Sequence, residues 1–217
     1  MIRKTYTYQN TWELESGDVL PGFQLAYHTA GELNESRTNV IWVCHALTAN
    51  SNVSDWWKGL FGKGKALDPE KYFIICVNVP GSCYGSTNPL HLIEKTGKPY
   101  YHSFPQITIK DIVGSFDELR KSLGIAHIHT LIGGSLGGQQ VLEWVVSRPE
   151  LFSRIVPIAT NARHSAWGIA YNETQRMAIA ADPTWTNNHH NAGMEGMKTA
   201  RAIALLSYRA YKTYGES

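Results

Sequence analysis

Four short, largely apolar runs recur along this sequence with helical stretches between them, and that alternation restricts the possible folds more than any other feature. The runs are Val40 to Cys44, Tyr72 to Val79, His129 to Ile132 and Ile155 to Ala159. Strands with one wet face alternate apolar and polar residues. The Val40 run does not, so it is read as a strand buried on both faces. Between the runs, Ile109, Ile112, Val113, Phe116, Leu119 and Leu123 recur at three- and four-residue steps, a helical period that Gly124 stops. Leu136 to Ser147 reads as a second helix, ending before Arg148-Pro149. Strands alternating with helices imply a mostly parallel, doubly wound α/β sheet. An antiparallel pair precedes residue 35, with Phe23, Leu25 and Tyr27 on alternate positions.

After residue 160 the strand signal ends. Residues 164–181 and 194–212 read as helices, joined by the turn-rich Asp182-Pro183-Thr184-Trp185-Thr186-Asn187-Asn188. The expected organisation is an α/β core over residues 1–162 and an inserted helical lid over residues 163–217.

Composition excludes several classes. A chain of 217 residues with 43% hydrophobic and 18% charged side chains can bury one core and is not a disordered or fibrous sequence. No apolar run approaches the ~18 residues of a membrane span, and the start, Met1-Ile2-Arg3-Lys4, reads as no secretory signal. The net charge of +2 is mixed along the chain, which offers no footprint for nucleic acid. Cys44, Cys76 and Cys83 are odd in number and lack a C-x-x-C spacing, so neither a disulfide framework nor a metal site is expected. Cys44 and Cys76 fall inside apolar runs and are read as small buried hydrophobes in a reducing cytoplasm.

The chemistry is concentrated in Leu131-Ile132-Gly133-Gly134-Ser135-Leu136-Gly137-Gly138. Gly133-x-Ser135-x-Gly137 follows an expected strand and opens an expected helix, the context of a nucleophile elbow. The glycines allow close backbone packing around a sharp turn, and the positive end of the helix favours negative charge developing at the serine. Ser135 is therefore the candidate nucleophile. An oxyanion hole needs two backbone N–H donors. One belongs to Leu136, the residue after the nucleophile, and the other to Leu47 in the loop after the Val40 strand. His45 in that loop is read as ordering it by hydrogen bonding, since the general base of such enzymes follows the serine in the chain.

His45-Ala46-Leu47-Thr48, Asp55-Trp56-Trp57, the run from Asn78 to Thr87, Phe104 to Asp111, Gly133 to Gln139 and Leu142-Glu143-Trp144 resemble the homoserine O-acetyltransferases, in order and across nearly the whole chain. Leu136 and Asn88 depart from residues common there. The resemblance implies an α/β-hydrolase fold with a helical lid after the sixth strand. It implies a two-step transfer in which Ser135 takes an acetyl group from acetyl-CoA and passes it to the hydroxyl of L-homoserine, for methionine synthesis. It implies no permanent cofactor, and a homodimer formed through the lid helices, with which Tyr208, Tyr211 and Tyr214 are compatible. It also implies a lid arginine for the substrate carboxylate. Arg201 is the candidate over Arg209, because it shares a helix face with Leu205 and Tyr208, read as an inward stripe.

The resembled triad is incomplete within these residues. Ser135, Asp182 and His189 stand in the right chain order, but the expected lid holds the last two, and His189-His190 reads as an exposed loop. The resemblance places the acid and base on loops after later strands, beyond Ser217, so the chain is expected to be an inactive portion lacking the last strands of the sheet. The Ile155 strand is then expected to form an exposed apolar edge. Three other readings stay open: a serine esterase or thioesterase, a homoserine or serine O-succinyltransferase, and a non-catalytic binding module.

Overall fold

A computed structural model of the chain describes residues 1–208 and 211–215. It runs through β1 (Ile2–Tyr8), β2 (Trp12–Glu13), β3 (Val19–Leu20), β4 (Phe23–Ala30), β5 (Val40–Cys44), α1 (Val53–Trp56), β6 (Phe73–Val77), β7 (Leu92–Ile93) and β8 (Lys98–Pro99). It continues through α2 (Ile109–Ser122), β9 (Thr130–Gly134), α3 (Leu136–Ser147), β10 (Ile155–Ile158), α4 (Ala166–Ala180), α5 (Met194–Ser207) and α6 (Tyr211–Gly215). Contacts divide it into two compact units, Met1–His91 with Phe104–Ala162, and Leu92–Ser103 with Arg163–Ser217.

The first unit is built on a six-stranded sheet of order β1-β4-β6-β5-β9-β10. β1 and β4 pair antiparallel, as do β4 and β6, whereas β6, β5, β9 and β10 run parallel. The chain belongs in this respect to the doubly wound α/β class expected from the alternation of runs. Every residue of β5 and β6 is buried. Successive side chains of a strand point to opposite faces. Ile41 and Val43 thus join Val53, Leu67, Ile74, Cys76 and Ile132 in one apolar layer, while Trp42 meets Phe116 of α2 and Trp144 of α3. Both faces of the central strands are covered, which is why their sequence carries no polar alternation.

α2 begins at a capping box. The Thr108 hydroxyl accepts from the Asp111 N–H and the Asp111 carboxylate accepts from the Thr108 N–H. Its buried stripe of Ile112, Val113, Phe116 and Leu119 is the one its period predicts. At the end of the described sheet β10 is different: Ile155, Val156 and Ile158 are each more than a third exposed, as anticipated for an apolar edge.

The second unit carries the β7–β8 hairpin and the helices after residue 162. The expected helix over 194–212 is described as α5, which ends at Ser207, and as α6 from Tyr211; residues 209 and 210, and with them Arg209, lie outside the described residues. No helix among the described residues is long and apolar enough to cross a membrane.

Candidate active site

Ser135 stands between the end of β9 and the first residue of α3 with φ 55° and ψ −120°. A non-glycine residue in this region carries about 1–3 kcal/mol of strain. The surroundings hold it there. Its N–H donates to Ile158 O at 3.0 Å, and its carbonyl accepts from the Gln139 N–H at 3.2 Å and from Thr160 Oγ1 at 2.9 Å. The side chain makes no capping bond to the helix and the residue is exposed.

The two glycines of the pattern have a packing reason. A Cβ on Gly133 would stand 2.3 Å from Gly137 O and 3.0 Å from Cys44 Cβ. One on Gly137 would stand 2.0 Å from Cys44 O. The first turn of α3 therefore lies directly on the end of β5 and the start of the following loop. That contact brings the segment carrying Leu47 against the helix whose first residue is Leu136. Leu136 at the first helical position has an N–H that the helix ladder does not use, and Leu47 is 72% exposed in its loop. The α3 dipole adds positive potential at the same end.

His45 is buried and fully engaged. Its Nε2 accepts from the Val79 N–H at 3.2 Å, so Nδ1 carries the proton and donates to Ala46 O at 2.8 Å. Burial holds its pKa below the ordinary histidine value, with the Ala46 carbonyl pulling the other way. A neutral imidazole with both nitrogens used orders the loop and is not a general base. Beside it, Asn78 Oδ1 accepts from the Ser51 N–H at 2.8 Å, Asn78 Nδ2 donates to Tyr84 O at 3.0 Å, and Ser86 Oγ donates to Asn78 O at 2.5 Å. These bonds close the loop from Asn78 to Thr87 and leave Tyr84 and Cys83 exposed. Cys44 and Cys76 are buried free thiols whose pKa values burial pushes up.

In the second unit, Asp182 serves the turn. Its carboxylate accepts from the Gly196 N–H at 2.9 Å, the Thr184 N–H at 2.8 Å and the Thr184 hydroxyl at 2.7 Å. These bonds, the Gly196 N–H first, lower its pKa to about 2. His189 and His190 are exposed, and the Asn191 N–H donates to His189 Nδ1. The face of α5 differs from the expected one. Arg201, Leu205 and Tyr208 are exposed, and the buried residues are Gly196, Ala200 and Ala204. The small residues face α4 because the two helices approach closely: a Cβ on Gly196 would stand 2.6 Å from Ala178 O. A stripe of large apolar residues thus misled the assignment of the inward face. Among the described residues no three His, Cys, Asp or Glu side chains gather as a metal ion would require.

The sequence reading did not find Thr160 or Ile158 beside Ser135. Their only signal is position, at and just after the end of the strand that follows the elbow helix.

Residues 39–193 match the family model described as alpha/beta hydrolase fold. A curated relative from Cyclobacterium marinum, named homoserine O-acetyltransferase, is 51% identical over 214 residues, covering 99% of this chain. The chain spans 61% of that relative's length. A solved homoserine O-acetyltransferase from Bacillus anthracis is 29% identical with a TM-score of 0.88, covering 94% of this chain and 60% of its own. A solved acetylester hydrolase from Corynebacterium glutamicum has the same identity and TM-score, 29% and 0.88, covering 99% of this chain and 61% of its own.

Proposed function

This chain belongs to the α/β-hydrolase fold family, and from that premise we propose that the whole protein is a homoserine O-acetyltransferase working through an acyl-serine on Ser135. The strained, exposed Ser135 at the strand–helix turn is the observation that carries the reading. Ser135 Oγ attacks the thioester carbon of acetyl-CoA, the C–S bond breaks, and CoA leaves as its thiol. The hydroxyl oxygen of L-homoserine then attacks the acetyl carbon as it gives up its proton, and the bond between the acetyl carbon and Ser135 Oγ breaks, Oγ taking a proton to return as the free hydroxyl. Splitting one transfer into two makes each step easier. The N–H groups of Leu136 and Leu47 receive the oxyanion of both tetrahedral intermediates. The general base and its orienting acid are assigned to the part of the relatives' length that this chain does not span.

Arg201 is assigned to the homoserine carboxylate, as a bidentate guanidinium partner. The helical segment over residues 163–217 is assigned the role of a lid that keeps water from the acyl-serine. Exposed Trp167, Met177, Leu205, Leu206 and Tyr208 in this segment support a homodimer formed there. The reading includes no permanent cofactor, no nucleic acid and no membrane, and a place in the cytoplasm.

A second reading, hydrolysis of acetyl esters, is favoured by the acetylester hydrolase of equal identity and TM-score. The identity of the acceptor separates the two. The whole protein is supplied with acetyl-CoA and L-homoserine, and O-acetylhomoserine and acetate are counted. The transferase reading expects O-acetylhomoserine in large excess. Acetate in excess at saturating homoserine contradicts it.

A further inference from the structure

We propose that Thr160 is a positioning residue of the acyl-transfer site: its hydroxyl holds and polarises the peptide whose N–H, that of Leu136, faces the developing oxyanion. The inference rests on the reading of Ser135 as the nucleophile.

A peptide group is planar, and its C=O and N–H point in opposite directions. The orientation of the Leu136 N–H is therefore the orientation of the Ser135 carbonyl, reversed. That carbonyl accepts two bonds. The Gln139 N–H at 3.2 Å is the ordinary first bond of α3, and the Thr160 hydroxyl at 2.9 Å comes from a different element. Two donors arriving from different segments fix the tilt of the peptide plane where one would leave it a hinge. They also draw charge toward the oxygen, and a carbonyl so polarised makes the N–H of the same peptide a stronger donor.

The segment from Ile158 to Thr160 is shaped for this task. Ala159 has φ 47°, a conformation that a residue with a side chain rarely adopts. Residues on either side of it both bond to the elbow: Ile158 O receives the Ser135 N–H at 3.0 Å, and Thr160 Oγ1 donates to the Ser135 carbonyl. The peptides before and after the nucleophile are thus pinned to one short segment. Thr160 is itself held in place by Gly138. A Cβ on that glycine would stand 2.6 Å from Thr160 Cβ and Cγ2 and 2.9 Å from Oγ1. Gly138 lies outside the G-x-S-x-G pattern, and its bareness makes the room that Thr160 fills.

The test compares Thr160→Val, which keeps the shape and removes the donor, with Thr160→Ser, which keeps the donor and removes a methyl group. The readouts in the whole protein are the acylation burst with p-nitrophenyl acetate, kcat and KM for acetyl-CoA, and the thermal midpoint. T160V is expected to slow acylation about tenfold or more, with KM within about twofold of wild type. T160S is expected to keep the wild-type rate. Should T160V not fold, Thr160→Ala against T160S makes the same comparison. A T160V protein that acylates at the wild-type rate overturns the proposal. So does a T160S protein as slow as T160V, or a loss that falls on KM alone. A wild-type protein without a burst, or an S135A protein that keeps one, overturns the nucleophile reading and this proposal with it. A burst lost in S135A but intact in T160V overturns this proposal alone.

Discussion

Gly137→Ala puts a methyl group where the structure has backbone on both sides. The added Cβ would lie 2.0 Å from Cys44 O, 2.7 Å from Cys44 C and 3.0 Å from His45 O, against an ordinary contact of 3.4 Å or more. No side chain can rotate to relieve this. Cys44 ends a strand buried along its whole length and paired on both sides, and Gly137 lies in the first turn of α3. If the backbone stays in place, the strain is about 3 kcal/mol, the upper end of overpacking. The thermal midpoint then falls by about 6–12 °C, at ~2–4 °C per kcal/mol for a chain of this size. If the elbow instead withdraws by about 1 Å, Leu136 and Leu47 part, and acylation slows on the order of 100-fold. The assay measures the acylation burst with p-nitrophenyl acetate and the thermal midpoint of the whole protein. A G137A protein with the wild-type burst and midpoint would falsify the argument that this glycine is required by close backbone approach.

Two further outcomes follow from local geometry. Gly114 lies on the exposed side of α2 with nothing within 4 Å of an added Cβ, so Gly114→Ala stabilises by about 0.5–1 kcal/mol. A lower thermal midpoint in G114A would show that the helix is constrained there in some other way. Asp182 has its pKa lowered from 3.8 to about 2, so its bonds to Gly196 and Thr184 contribute stability above the ordinary carboxylate pKa. That stability is lost as pH falls from about 4 through about 2. Asp182→Ala is expected to lower the thermal midpoint at neutral pH, with the gap from wild type closing across that acid range. A gap that stays constant with pH contradicts the assignment.

The central sheet was legible because short apolar runs recur between helical stretches. β5 and β6 are buried on both faces, and a run such as Val40 to Cys44 has no other comfortable home in a chain of this composition. The elbow was legible because Gly133 and Gly137 answer to backbone contacts that no larger residue permits. The inward face of α5 was not legible. Helical spacing groups Arg201, Leu205 and Tyr208 as readily as Gly196, Ala200 and Ala204, and the close approach of α4 selects the smaller set. Thr160 was not legible either, since a threonine after a strand carries no local signal and its partner lies 25 residues earlier in the chain. Contacts that depend on one helix or one turn can be read from spacing. Contacts between elements appear only when the fold brings those elements together.

Acyl transfer by this protein requires an acyl group to reside on Ser135. The direct measurement is intact-protein and peptide mass spectrometry of the whole protein mixed with acetyl-CoA, without homoserine, and quenched in acid. One acetyl group is expected, located on the peptide containing Ser135, absent in Ser135→Ala and discharged when L-homoserine is added before the quench. An acetyl group on another residue, or one that persists in S135A, would contradict it.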